Sequence, residues 1–222
     1  MFPWQQIDTV LLDMDGTLLD LHFDNHFWLR LVPQTLSQQR GISLNEAQTL
    51  VETAYEKVSG TLDWYCLDYW QTELQLDIIA LHHTLVDRIA LRQDSLPFLQ
   101  ALQQQGKQRI LVTNAHSKSL ALKLQHTELQ SGLDAMISSH ETGHPKEHPH
   151  FWQQLIQRFD LDPQRCLFID DSEVILAAAK KAGIGYQLGI SNPDSQKPNK
   201  VFSDFPAIHD YQMLFKELYQ SV

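Results

Sequence analysis

The chain has 222 residues and a hydrophobic fraction of 43%, enough to bury a sizeable core in one domain carrying an insertion or in two small domains. Its formal net charge of −10 argues against a general nucleic-acid binder or a protein drawn to anionic membranes, while a phosphorylated small molecule held by local cations stays open. Met1 to Gln6 carries no basic and apolar leader pattern, no apolar run approaches transmembrane length, and the two cysteines, Cys66 and Cys166, sit far apart among apolar neighbours. A cytoplasmic chain with reduced core cysteines is the expectation.

The first element is Ile7 to Leu12, a short apolar run followed by a glycine turn, which predicts a buried strand. It ends in Asp13 and Asp15, at i and i+2, positions that extended backbone points the same way. Two carboxylates converging on one small volume repel each other, and burying either is costly without a cation or strong donors. Mg²⁺, a hard cation that prefers oxygen ligands, is the simplest compensation. Gly16 then lets the chain turn away, and Thr17 offers a hydroxyl and an N–H there.

From residue 21 to residue 93 the pattern is helical throughout. Phe27, Trp28, Leu31 and Val32 recur at helical spacing, and Ser43-Leu44-Asn45-Glu46 forms a capping box. Ala47, Leu50, Val51, Ala54, Tyr55 and Val58 then make one apolar stripe. Cys66 to Leu74 and Asp77 to Leu91 follow, with Asp77 as a candidate N-cap. About seventy helical residues after a first strand read as an inserted module. Its aromatics Trp64, Tyr65, Tyr69 and Trp70 suit either the module's own core or a platform for a flat ring.

Beyond Ser95 helix and strand alternate, the mark of parallel α/β architecture. Strands are expected at Arg109 to Val112, Ala135 to Ser138, Cys166 to Ile169 and, as the last core strand, Tyr186 to Ile190. Helices are expected between them, and a final amphipathic helix from about His209 to Tyr219. Polar residues stand at three strand ends: Asp13 and Asp15, Thr113 and Asn114, and Asp170 and Asp171. In open α/β sheets the ligand site lies at the carboxyl ends of the strands, where groups distant in sequence meet. Lys146, between a strand and a helix, can reach the same rim and hold phosphate oxygens. His140, His144, His148 and His150 invite a zinc reading, but Gly143, Pro145 and Pro149 break any helix that would align them, and no cysteine is near in sequence; they read as loop histidines.

Asp13-Met14-Asp15-Gly16-Thr17-Leu18 after an apolar strand, then Thr113, Lys146 and the pair Asp170-Asp171, resemble in order the four motifs of the haloacid dehalogenase-like hydrolases. The resemblance implies a Rossmann-like parallel sheet core (residues 1–20 and 94–222) with an inserted helical cap (residues 21–93). It implies Asp13 as nucleophile and Asp15 as general acid/base. It further implies phosphoryl binding by Thr113, Asn114 and Lys146. Mg²⁺ would be held by Asp13, the Asp15 main-chain carbonyl and the Asp170-Asp171 pair; which of that pair binds directly is left open, with Asp170, the first acid after the strand, favoured. The intact Asp15 separates the chain from the metal-free dehalogenases proper.

The stretches Phe23-Asp24-Asn25 with Phe27-Trp28, Leu62 to Trp70, Gly106 to His116 and Asn192 to Ser195 look further like the bacterial GMP/IMP nucleotidases of that superfamily, which remove the 5′-phosphate of purine monophosphates. That resemblance implies a monomer or homodimer acting on a small phosphorylated substrate. A sugar-phosphate or phosphoglycolate phosphatase is the alternative. Two other classes fit less well. A phospho-accepting switch domain is shorter and lacks the insertion, and a catalytically silent module on this fold typically loses one of the paired aspartates.

Overall fold

Strand β1, Thr9–Leu12, is buried at every position and sits in the middle of a sheet whose order is β3-β2-β1-β4-β5-β6. A computed structural model of the chain describes residues 2–219, and within them the sheet has six strands, all parallel. The others are β2 (Gln108–Thr113), β3 (Ala135–Ser138), β4 (Cys166–Asp170), β5 (Tyr186–Ile190) and β6 (Ala207–Ile208). β1 pairs with β2 on one side and β4 on the other, Leu12 lying level with Leu111 and Ile169. The chain builds outward from β1 in one direction and then in the other, so its carboxyl end lies at the switch point where such sheets take their ligands.

Alternation along the strands feeds two apolar layers. Val10 and Leu12 point into a cluster with Phe98, Leu102, Tyr211 and Leu214; Leu11 points the other way, to Phe151, Trp152, Phe168 and Leu176. The first layer is covered by α6 (Ser95–Gln104) and α11 (Gln212–Tyr219), where Phe98 and Tyr211 stack at 4.2 Å and 7°. The second is covered by α9 (Pro149–Phe159) and α10 (Glu173–Lys181). Two shorter helices, α7 (Ser117–Gln125) and α8 (Ser139–Thr142), follow β2 and β3.

Between β1 and α6 the chain is helical: α1 (His22–His26), α2 (Val32–Arg40), α3 (Leu44–Val58), α4 (Leu67–Leu74) and α5 (Ile78–His83). Phe27–Leu31 joins α1 to α2 as a π-turn in which the Val32 N–H reaches back to the Phe27 carbonyl. Pro33 follows directly; it has no N–H to give the preceding turn, a recognised cause of such a distortion. The capping box at Ser43 forms as expected, and Asp77 caps α5 through Ala80 N–H at 3.0 Å. These helices share an apolar cluster of their own, with Phe27, Leu36, Val51 and Trp70 buried in it. Two strands of backbone carry the connection to the sheet: Asp20 N–H bonds Ala90 C=O at 2.9 Å, and Arg92 N–H bonds Leu18 C=O at 3.0 Å.

The C-terminal end departs from expectation. β5 is not the last strand, because Ala207–Ile208 adds a sixth, Gly189 N–H bonding Pro206 C=O and Ser191 N–H bonding Ile208 C=O, each at 2.8 Å. Two residues give no readable alternation, which is why the pattern hid them. α11 accordingly begins at Gln212, its N–H held by the Asp210 carboxylate at 2.7 Å, and not at His209.

His82 is buried among the rings of Phe23, Phe27 and Trp28, with Nε2 lacking a hydrogen-bond partner among the described residues. Burial, aided by the Lys123 charge, lowers its pKa from the ordinary 6.5 to about 3, so it stays neutral. The unfolded chain binds that proton first as pH drops below 6.5, so His82 removes stability progressively between 6.5 and 3. We expect a loss of roughly 2 kcal/mol from this group by pH 5. Urea unfolding at pH 7.5 and pH 5 should show a smaller difference in His82→Phe than in the parent.

Candidate active site

The site is assembled at the carboxyl ends of β1, β2 and β4. Asp13 extends β1 by one residue, its N–H bonding Ile169 C=O at 3.0 Å, and the residue is only 6% exposed. Lys146 projects between β1 and β4. Its Nζ donates to Asp13 Oδ1 at 2.6 Å, to Asp170 Oδ2 at 2.7 Å and to the Val112 carbonyl at 3.3 Å. Burial works against this ammonium, but Asp13 and Asp170 outweigh it and hold the pKa above the ordinary lysine value. Asp170, wholly buried, is pushed well above the usual carboxylate range by burial despite Lys146; Asp13 and Asp171 add repulsion. Its other oxygen accepts the Ser172 N–H at 2.8 Å.

Asp171 is raised as well, first by burial, although Lys200 reaches its Oδ2 at 2.7 Å. Gly16 explains how the turn after β1 fits beneath it. Its φ is +86°, and a Cβ there would lie 2.9 Å from both Asp171 Cγ and Pro193 Cβ, so glycine is required on two counts. Thr113 ends β2 with its Oγ1 accepting the Ala115 N–H at 3.0 Å. Asn114 is turned to scaffolding: its Oδ1 accepts the Lys146 N–H at 2.9 Å and its Nδ2 donates to Glu147 at 3.1 Å. Glu147 in turn accepts the Tyr65 hydroxyl at 2.7 Å, joining the helical insertion to the site.

Sequence reasoning missed a second buried lysine. Lys123 of α7 is 1% exposed and donates to Asp15 Oδ1 at 2.7 Å and to both oxygens of Asp24 at 2.8 and 2.9 Å. Burial, the Asp24 charge and, more weakly, Asp13 raise the Asp15 pKa to about 7 against the pull of Lys123. The signal was present, since Lys123 shares the inner face of α7 with Ser119 and Leu122, a place where a lysine needs an anion. Asp24, in the first turn of α1, reads from sequence only as a favourable helix-start acid.

All seven residues singled out from the sequence, together with Lys123 and Asp24, line one cavity of about 400 Å³. Its outer part is walled by the helical insertion, with Trp28, Tyr55, Trp64, Tyr65 and Trp70 among the lining. Trp70 serves packing too, being 1% exposed with its Nε1 bonded to the Trp64 carbonyl at 2.9 Å, whereas Tyr69 lies off the cavity, edge-on to Trp70.

One carboxylate oxygen from each of Asp13, Asp170 and Asp171 lies within 4.8 Å of the others. The cavity lining holds six acidic side chains, Asp13, Asp15, Asp24, Glu147, Asp170 and Asp171, against two ammonium groups, Lys123 and Lys146; Lys200 reaches Asp171 from outside that lining, which leaves a formal excess of three acidic groups. An all-oxygen donor set with that excess fits a hard dication.

A parallel sheet with this strand order, two aspartates after its central strand and a lysine clamped across the switch point define a known hydrolase class. The chain belongs to the haloacid dehalogenase-like hydrolases, whose family profile matches residues 7–183. It is 50% identical, over 97% of its own length and of the other's, to the GMP/IMP nucleotidase YrfG of Escherichia coli K12. It is 22% identical to the hexitol phosphatase B of the same organism, over 90% of this chain and 91% of that one. Among solved structures, a HAD phosphatase from Thermococcus onnurineus superposes with a TM-score of 0.78 at 24% identity, covering 96% of this chain and 98% of that one.

Removing Lys123 leaves Asp15 and Asp24 facing each other without compensation. Lys123→Met should therefore cost about 3–5 kcal/mol in urea unfolding, and adding Asp24→Asn should recover part of that loss. A cost under about 1 kcal/mol would mean the buried pair is not the charge balance described.

Proposed function

We propose that the chain is a phosphatase that removes the 5′-phosphate of purine nucleoside monophosphates such as GMP and IMP, with Mg²⁺ as cofactor. The observation that carries the reading is an aromatic-walled cavity with paired aspartates on its floor, in a chain half identical to a GMP/IMP nucleotidase over nearly its whole length.

Asp13 attacks phosphorus, the bond to the 5′-oxygen breaks, and a phosphoaspartate forms on Asp13. Asp15 gives the departing oxygen a proton and later takes one from the water that releases phosphate. A carboxyl group near neutral pKa suits both halves of that exchange, and Lys123 holds Oδ1 so that Oδ2 is left for the substrate. The Lys146 ammonium and the Thr113 hydroxyl take the phosphoryl oxygens, while Asn114 keeps the backbone of Lys146 in place. Mg²⁺ would be held by the carboxylates of Asp13, Asp170 and Asp171 and the main-chain carbonyl of Asp15, and supplies charge compensation for the phosphoryl group. Residues 21–93 act as a cap over this chemistry, and the purine lies against its tryptophans and tyrosines.

Asp13→Asn should abolish phosphate release from GMP at unchanged fold. EDTA should stop the parent enzyme and Mg²⁺ restore it; turnover that persists in EDTA would contradict the metal assignment. GMP and IMP should be cleaved with a higher kcat/KM than pyrimidine monophosphates or sugar phosphates. Trp64→Ala should raise KM for GMP more than for p-nitrophenyl phosphate. A sugar phosphate that outperforms GMP side by side would sink the substrate assignment and leave the phosphatase chemistry standing.

A further inference from the structure

A second group of metal-binding side chains lies outside the cavity, at the seam between the helical insertion and the sheet. Cys66 precedes α4, His116 caps α7 and His140 is in α8; one donor atom from each lies within 4.8 Å of the others. None of the three lines the cavity, although their neighbours Tyr65 and Ala115 do. We propose that Cys66, His116 and His140 form a zinc site, distinct from the carboxylate floor, that ties the helical insertion to the sheet.

Four observations support it. Thiolate and imidazole are the donors of zinc, and three protein ligands plus a water is a common zinc arrangement. The His140 Nε2 atom is buried and has no hydrogen-bond partner among the described residues, a costly state that a metal bond would relieve. The rings of His116 and His140 meet edge to face at 4.8 Å, which brings the two imidazoles together at one point of the seam. Asp68 sets a carboxylate beside one of the ligands, its Oδ2 3.7 Å from His116 Nε2, while Lys118 holds its Oδ1 at 2.8 Å.

Zinc bonds of about 2.0–2.3 Å put tetrahedral ligands roughly 3.3–3.7 Å apart, so donors within 4.8 Å of one another close by at most about 1.5 Å. The Cys66 thiol loses its proton to solvent on binding. His116 coordinates through Nε2 and carries its proton on Nδ1, giving up the long 3.4 Å bond that Nδ1 accepts from Lys118 N–H. His144, His148 and His150 form a separate group nearer the surface with no sulfur donor, and His148 Nδ1 is already bonded to His150 N–H at 3.2 Å.

The test is metal binding by the full chain, stripped with a chelator and then held in excess Mg²⁺. One equivalent of Zn²⁺ should bind in competition with a chromophoric chelator. Co²⁺ should give a thiolate-to-metal absorption band in the near ultraviolet. Cys66→Ser and His140→Ala should weaken Zn²⁺ binding by more than the roughly 10–100-fold that losing an outer-shell partner costs, and should abolish the Co²⁺ band. His148→Ala should change neither. Alkylation of the parent protein, mapped by peptide mass, should show Zn²⁺ protecting Cys66. Binding without the thiolate band, binding that survives Cys66→Ser, loss in His148→Ala, or Cys66 alkylated equally fast with and without Zn²⁺ would each overturn the site.

Discussion

The ammonium of Lys146, buried between Asp13 and Asp170, is the contact on which the site depends. It joins the ends of two adjacent strands, β1 and β4, across a point where like charges would otherwise push them apart. A buried ion pair is not a cheap source of stability, because the desolvation of each charge offsets much of the attraction. Its value here is positional. With Asn114 holding its backbone and Val112 accepting a third bond, the Lys146 ammonium is fixed between Asp13 and Asp170.

Lys123 repeats the device one step out. It faces Asp15 and Asp24, the second of which belongs to α1 of the helical insertion, so the proposed proton donor is tied to the segment that would close over it. Further contacts join insertion and sheet: the paired backbone at 18–20 and 90–92, the Leu21–Pro193, Asn25–Asp194 and Tyr65–Glu147 bonds, the packing of Phe23 on Leu122, and the Asp68–Lys118 and His116 contacts. A cavity lined by more acidic than basic groups suits a ligand that brings a cation with it.

The parts legible from sequence were those carried by local pattern. Asp13 and Asp15 follow from a strand and a period of two, and Asp170 and Asp171 from the end of another strand; the parallel architecture follows from alternating elements. The capping box at Ser43 and the N-cap at Asp77 are purely local and formed as read. What escaped was long-range. Lys123 meets Asp24 across 99 positions, and Cys66 meets His116 and His140 across the seam, so the four histidines near residue 145 split into two groups that spacing alone could not separate. Asn114, expected to touch substrate, lines the cavity, and its amide is also bonded to Lys146 and Glu147, partners that spacing does not show. The strand Ala207–Ile208 is too short for any period to show.

The central claim is that Asp13 carries the phosphoryl group covalently while Asp15 manages protons. The direct measurement uses Asp15→Asn with p-nitrophenyl phosphate, whose leaving group departs without a proton while release from Asp13 is slowed for want of a base. Acid quenching followed by borohydride reduction should convert residue 13, and no other aspartate, to homoserine, in step with a burst of p-nitrophenol equal to the enzyme present. Covalent phosphate on another residue, or a full burst with residue 13 unmodified, would contradict the account.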